Sequence, residues 1–338
     1  MKFKQIVFTE KYKAELLESE RELAPGQVCV KTVLTTISPG TERANLMGDP
    51  NLSIRAPMQE ATYPRTVGYS ASGIVTAVGE GVTHVAPGDR VVVFLGSHSE
   101  YNILPAHKIV KIPYEQNSFE EAAVSFIATF PLAAVRKTRL EVGESMLVMG
   151  QGLLGQLAVM MAKAAGAVPV IAADPVESRR EEALKNGADY ALDPTDPDFA
   201  KKVKELTGGG ANCAVEVTGV GQALDTCLDC MAKMGRVALL GCTRDKNFTI
   251  DYYRKVHGPG ITLIGAHTAA RPDHESYPAH FTHKDDILTV LKLCAAGRID
   301  IKRMCGTYYS PADCQKAFDG LMYDKNFPIV VQFDWRML

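Results

Sequence analysis

Over its first 115 or so residues the chain sets short apolar and β-branched runs between Gly- and Pro-bearing turn signals such as GEG and PGD. The runs are QIVF, QVCVKTVLTTIS, ASGIVTAVG, DRVVVF, YNILP and KIVKIP. Short strands at this spacing predict a compact, barrel-like all-β unit. Near residue 119 the period changes, because FEEAAVSFIATFPLAAVRKT is Ala-rich with helical spacing. Strand and helix alternate from there. ESMLVMG (144–150), VPVIAADP (168–175), NCAVEVTG (212–219), GRVALLG (235–241) and ITLIGAH (261–267) read as strands, with helical patterns between most of them. Near-continuous apolar strands in such an alternation predict a parallel sheet with helices on both faces. Two helices, HKDDILTVLKLCAAGRID and PADCQKAFDGLMYD, and a closing strand in FPIVVQFDW end the chain.

Length and composition narrow the class. At 338 residues the chain passes the roughly 250–300 at which single cores stop growing, so two domains or one elaborated domain are expected. Hydrophobic residues at 46% and charged residues at 22% are ordinary for a globular protein, and no apolar run nears the ~18 residues of a membrane span. The start, MKFKQIVFTEKYKAELLE, reads as a strand and not as a signal peptide, so a soluble, cytoplasmic protein is expected. A net charge of −2 offers no electrostatic footprint for nucleic acid or a membrane surface. The eight cysteines are scattered, which favours reduced thiols. Cys227 and Cys230 have CxxC spacing, but no second CxxC or HxxxH completes a metal set; buried structural cysteines are the reading.

GQGLLG at 150–155 is the first motif with chemistry. Its glycine spacing alone is weak, but it closes a strand, opens a helix through Leu153 and Leu154, and is followed by Asp174 at the end of the next strand. Gly150 allows the tight turn, Gly152 the approach of a pyrophosphate, and Gly155 close helix packing, with the phosphates on the helix N-terminus. Asp174 suits the adenosine ribose hydroxyls and repels a 2′-phosphate, so NAD is expected over NADP. Arg179 and Arg180 are the counterweight: they can hold a phosphate, form a solvated face, or lie on the adenine. Thr218 and Gly241, at the ends of later strands, join the cofactor set.

With the β-rich front, VGYSASGIVTAVGEGVTHVAPGDRV and GQGLLG in this order, the sequence resembles the medium-chain dehydrogenase/reductase superfamily, the alcohol dehydrogenase-like proteins. The resemblance covers essentially the whole chain. It implies a fold of α/β plus β type: a GroES-like catalytic domain (1–127), an inserted Rossmann domain with a doubly wound parallel sheet (128–269), and a return to the catalytic domain (270–338). Many members hold a catalytic zinc through a Cys, the His of a GHE motif, and a ligand in the linking helix. Those positions are here Pro39 (or Ser38 if the loop shifts by one), Tyr69 and Phe126, and none is a usual zinc ligand. Residues 91–126 lack the four cysteines of a structural zinc. A zinc-independent member is expected.

Without zinc, a protein group must stabilise the developing alkoxide. Tyr69 stands at a ligand position and is a candidate donor, or else fills the vacated volume. Thr41 matches a proton-relaying hydroxyl. His267 follows the strand whose sequel lines the pocket in the resembling family, with Ala266 and Thr268 matching backbone that holds the nicotinamide carboxamide. Cys242, Phe126 and Arg271 are expected to line the substrate pocket, and His274, His280 and His283 to add to a polar, partly cationic wall rather than a metal site. His98 is given no chemistry. The expected activity is NAD-dependent interconversion of a secondary alcohol and a ketone, on a polyol, sugar derivative or cyclic alcohol. The alternatives are an NADPH-dependent reductase of activated C=C bonds and a dinucleotide-binding protein without catalysis. The apolar edge strand ITLIGA makes a homodimer or homotetramer plausible.

Overall fold

The computed structural model describes residues 1–49, 61–243 and 247–338. These divide into two units: 1–127 with 287–297 and 301–338, and 128–286 with 298–300. Among the described residues no helix is long and apolar enough to cross a membrane.

The first unit begins with β1 (Lys2–Glu10), β2 (Lys13–Glu20), β3 (Gln27–Thr36), α1 (Pro39–Met47), β4 (Arg65–Thr66), β5 (Ser70–Val78), β6 (Arg90–Phe94), β7 (Tyr101–Pro105), β8 (Ile109–Lys111) and the opening turns of α2 (Phe119–Lys137). One sheet has the order β2-β1-β4; β3, β5, β6 and β8 form the run of a larger one, with β7 also paired to β3. Pro39 opens α1, where a missing N–H costs nothing. Gly48, left-handed at φ 74, closes it.

The second unit carries β9 (Met146–Met149), α3 (Leu153–Ala164), β10 (Val170–Ala173), α4 (Glu177–Lys185), β11 (Tyr190–Leu192), α5 (Phe199–Thr207), β12 (Ala211–Glu216), α6 (Gly221–Asp229), β13 (Met231–Leu239) and β14 (Thr262–Gly265). Its strands are all parallel in the order β11-β10-β9-β12-β13-β14. Numbered from β9, that order is 3-2-1-4-5-6, the doubly wound arrangement that binds dinucleotides where it reverses, between β9 and β12. Its core gathers strand residues such as Leu147, Ile171 and Val237 against Phe199, Val203 and Leu228 of the helices. Helix α7 (His283–Ala295) leads back to the first unit, which ends with β15 (Thr307–Tyr309), α8 (Cys314–Tyr323) and β16 (Val331–Asp334); β15 and β16 extend the larger sheet from β3.

The expected second domain ended at 269, whereas the second unit continues to Asp286. Side chains tie the intervening segment down: Arg271 Nη2 donates to Thr129 O at 3.3 Å, and its Nη1 lies 3.0 Å from Asp286 Oδ2.

Candidate active site

The turn from β9 into α3 uses three glycines for three different reasons. Gly150 has φ 96, and a Cβ there would meet Thr218 Cγ2 at 2.8 Å. At Gly155 a Cβ would stand 1.8 Å from Gly150 O. Gly152 has open space where its Cβ would be, and it begins α3 without a side-chain cap. Uncapped N–H groups beside that space fit a pyrophosphate. Leu153 is buried and Leu154 half-buried.

Asp174 locks this loop to the end of β10. Its buried carboxylate accepts from Gln151 N at 2.7 Å and from Val176 N at 2.8 Å. Arg179 Nη1 lies 3.9 Å from it on a half-exposed side chain. Arg180 is occupied elsewhere, bonding the carbonyls of Asp174 and Pro175 and facing Asp193. At the end of β12, buried Glu216 accepts from Thr218 N at 2.7 Å, from the Thr218 hydroxyl and from Gly219 N, while burial raises its pKa. That turn sets Thr218 against Gly150. The end of β13 closes on it, since a Cβ at Gly241 would stand 2.2 Å from Gly219 N. Cys242 follows with its side chain exposed.

The segment after β14 is bound more firmly than a pocket loop is expected to be. Ala266 N donates to Leu239 O at 3.0 Å, so its N–H is committed to the sheet and only its carbonyl is left for a carboxamide. Thr268 Oγ1 is buried without a hydrogen-bond partner among the described residues, a polar atom suited to a ligand amide. His267 Nδ1 accepts from Ala269 N at 3.1 Å, which places the proton of the neutral ring on Nε2. Lys137 Nζ bonds the carbonyls of Gly265 and Ala270.

Two expectations here are corrected. Arg271 is not a pocket wall: only 5% of its side chain is exposed, and it is spent on Asp286 and on the carbonyls of Thr268 and Thr129. His283 adds no positive charge, since burial, then Arg271, push it down to about 3.

The first unit holds a cluster of hydroxyls and rings. Tyr69 follows Gly68, at φ 85, and its ring meets Phe126 edge to face with centroids 5.7 Å apart. Phe126 also packs on Phe94 at 5.3 Å. The Tyr69 hydroxyl donates to Ser38 Oγ. Ser70 and Ser72 fasten β5 to α2 through the carbonyls of Ala123 and Phe119. The fold therefore gathers a serine hydroxyl, a phenol and a phenyl ring: Tyr69 and Phe126 stand at two of the positions where the resemblance implies zinc ligands, and Ser38 is the neighbour of the third, Pro39. Zinc takes thiolate, imidazole or carboxylate, so these side chains do not fit it. Among the described residues no three His, Cys, Asp or Glu side chains converge on one point. Thr41 is exposed on the first turn of α1, and the hydroxyl at Tyr69 is that of Ser38 instead.

Sequence reasoning missed three residues. Glu216 left no signal beyond its place at a strand end. Glu42 and His98 form a buried pair, Nε2 to Oε2 at 2.8 Å, although His98 reads as an ordinary loop residue. Cys227 and Cys230 are buried as expected, and burial pushes the Cys230 thiol up to about 12.

Comparison with known proteins agrees with this fold. A family model described as "Zinc-binding dehydrogenase" matches residues 154–282, and one described as "Alcohol dehydrogenase GroES-like domain" matches residues 24–114. L-threonine 3-dehydrogenase of Pyrococcus horikoshii is 30% identical over 292 residues, covering 75% of this chain and 79% of that protein. D-guloside 3-dehydrogenase of Escherichia coli is 31% identical over 216 residues, 63% of this chain and 61% of that protein. The crystal structure of benzyl alcohol dehydrogenase from Acinetobacter calcoaceticus shares the fold with a TM-score of 0.83 at 21% identity, over 99% of each chain.

Proposed function

The chain belongs to the medium-chain dehydrogenase/reductase superfamily of alcohol dehydrogenase-like proteins, and from that premise we propose that it interconverts a secondary alcohol and a ketone with NAD(H) and without zinc. The observation that carries the reading is the hydrogen bond between the hydroxyls of Tyr69, at an implied zinc-ligand position, and Ser38, beside the other at Pro39. A substrate with a hydroxyl on an internal carbon, a polyol, sugar derivative or cyclic alcohol, is in keeping with relatives that act on L-threonine and on D-gulosides.

The Gly150–Gly155 turn and the α3 N-terminus would hold the pyrophosphate, Asp174 the adenosine ribose, and the Ala266 carbonyl with Thr268 the carboxamide. A dinucleotide held there would supply, or accept, the hydride at the carbon that bears the substrate oxygen. In the reducing direction the Tyr69 hydroxyl passes its proton to the carbonyl oxygen, and the phenolate regains one from solvent. In the oxidising direction the phenolate takes the proton of the substrate hydroxyl. His267, with a proton on Nε2, is the second donor.

Asp174 supports NAD, since a 2′-phosphate would crowd a carboxyl group whose two oxygens already accept from backbone N–H groups. Fluorescence titration should give at least tenfold tighter binding of NADH than of NADPH; tighter NADPH binding overturns this and favours C=C reduction. A screen of polyols, sugars and cyclic alcohols for NAD reduction should find a substrate. Tyr69→Phe should then lower kcat by about 10²–10⁴-fold with NADH binding unchanged. Binding of NADH without turnover of any of them points to the non-catalytic alternative.

A further inference from the structure

A serine at the start of a helix ordinarily turns its hydroxyl inward to accept from a backbone N–H two or three residues on. Ser38 stands at the start of α1 and does not: it makes no side-chain capping bond, and its Oγ accepts from Tyr69. Glu42, one turn on, takes up the slack. Glu42 Oε1 accepts from Ser38 N at 2.8 Å, while Glu42 N donates to Ser38 O at 2.9 Å, so the backbone at Ser38 is gripped from both sides.

The other oxygen, Glu42 Oε2, faces His98 Nε2, and the two residues are 1% and 0% exposed. His98 is itself fixed on every side. Its Nδ1 lies 2.7 Å from Thr35 Oγ1, which also accepts from Trp335 Nε1 at 3.2 Å. Its ring stands edge to face against Phe333 at 5.1 Å, and its N donates to Val67 O at 2.8 Å. A Cβ at Gly68 would lie 2.6 Å from the His98 ring, so the residue that leads into Tyr69 is glycine because His98 occupies that space. One buried pair thus touches the chain at both partners of the hydroxyl pair, Ser38 through Glu42 and Tyr69 through Val67 and Gly68. Burying a carboxyl group and an imidazole among aromatic rings is costly, and replacing such a pair with apolar side chains is often neutral or stabilising in proteins, so stability is a weak reason for the pair.

We propose that Glu42 and His98 are positioning residues for Tyr69: the pair holds the Ser38 backbone so that its hydroxyl is kept off the helix N-terminus and given to the Tyr69 phenol. This rests on the reading of Tyr69 as the proton-exchanging group. A hydroxyl both donates and accepts. When Tyr69 gives its proton to the carbonyl oxygen, the Ser38 hydroxyl rotates to donate to the phenolate without losing its own proton, and it turns back when the phenolate is reprotonated.

The test uses the full chain with 3-fluorotyrosine in place of tyrosine, the ¹⁹F resonance of residue 69 being the one lost in Tyr69→Phe. Ser38→Ala removes the acceptor and should shift that resonance. Glu42→Leu should shift it by more than its linewidth in the same direction, in a protein with native circular dichroism. An unmoved resonance in the folded Glu42→Leu variant overturns the proposal, because a residue needed for stability alone lowers Tm and leaves the Tyr69 environment as it was. Should the leucine variant not fold, Glu42→Asp keeps the carboxylate but, one methylene shorter, cannot reach both Ser38 N and His98 Nε2; it must shift the resonance too, and failure to do so has the same meaning. A resonance that responds to Glu42 while Tyr69→Phe retains full kcat supports the positioning role and removes only the catalytic reading of Tyr69.

Discussion

Gly152 and Gly155 share one turn and answer to different constraints. At Gly155 a Cβ has nowhere to go, since it would overlap a backbone oxygen of the same loop. Gly155→Ala should therefore cost about 2–4 kcal/mol of stability, the range of severe core lesions, measurable as a lower urea midpoint. At Gly152 a Cβ would enter empty space. Gly152→Ala should leave that midpoint within error and weaken NADH binding roughly tenfold, a cost of about 1.4 kcal/mol. Such residues are legible in a sequence because glycine spacing, strand end and a following acid all lie within one βαβ stretch. Glu42 and His98 are not legible, being 56 positions apart with no local pattern joining them. Ser38 rather than Thr41 meets Tyr69 because helix geometry at α1 decides which hydroxyl turns inward, and spacing alone leaves that open. Arg271 misreads for a simpler reason, as nothing in an arginine's neighbours in sequence announces that Asp286 will bury it.

At the scale of elements, the 265–271 segment is held by α2 and by the start of α7, and titration reads that hold. His283 is pushed down to about 3 within a buried group that also contains Arg136, Arg271 and Asp286. In the unfolded chain it ionises near ~6.5. As pH falls from 6.5 toward 3 the unfolded state takes a proton that the folded state refuses, so stability is present above pH 6.5 and is lost below it. Asp286, pushed up to about 6 by burial against the pull of both arginines, acts oppositely between its unfolded value and 6, because there the folded state keeps a proton the unfolded state has released. The comparison with a variant separates the two: on going from pH 7 to pH 5, wild type should lose about 2 kcal/mol more unfolding free energy than His283→Gln. Equal losses in the two proteins sink this account. The parallel strands themselves are legible from their apolar runs, and the register of α3 from its glycines. That the 270–286 stretch packs with the second unit depends on buried ion pairs, which hydropathy does not display.

For the molecule as a whole, the change from short β runs to alternating strand and helix marks two kinds of structure, while the order 3-2-1-4-5-6 is one of several that right-handed crossovers allow and is settled by packing. Strand β14 is the edge of that sheet, with Leu263 exposed on it. An exposed apolar edge invites pairing with its copy, so light scattering should report a dimer or tetramer for wild type and a smaller species for Leu263→Lys. Metal analysis bears on the centre directly. Purified protein should hold well below one zinc per chain, and dialysis against EDTA should change neither Tm nor NADH binding; stoichiometric zinc overturns the zinc-independent reading.

On the zinc-independent chemistry proposed above, the Ser38–Tyr69 pair also changes what the enzyme depends on. Hydroxyls have no thiolate for peroxide to attack and no cation for a competing chelator to remove. In a cell starved of zinc, or under oxidants that strip it from cysteine, relatives of the zinc type lose their electrophile. On that proposal the chemistry asks of the cell only a folded chain and a dinucleotide.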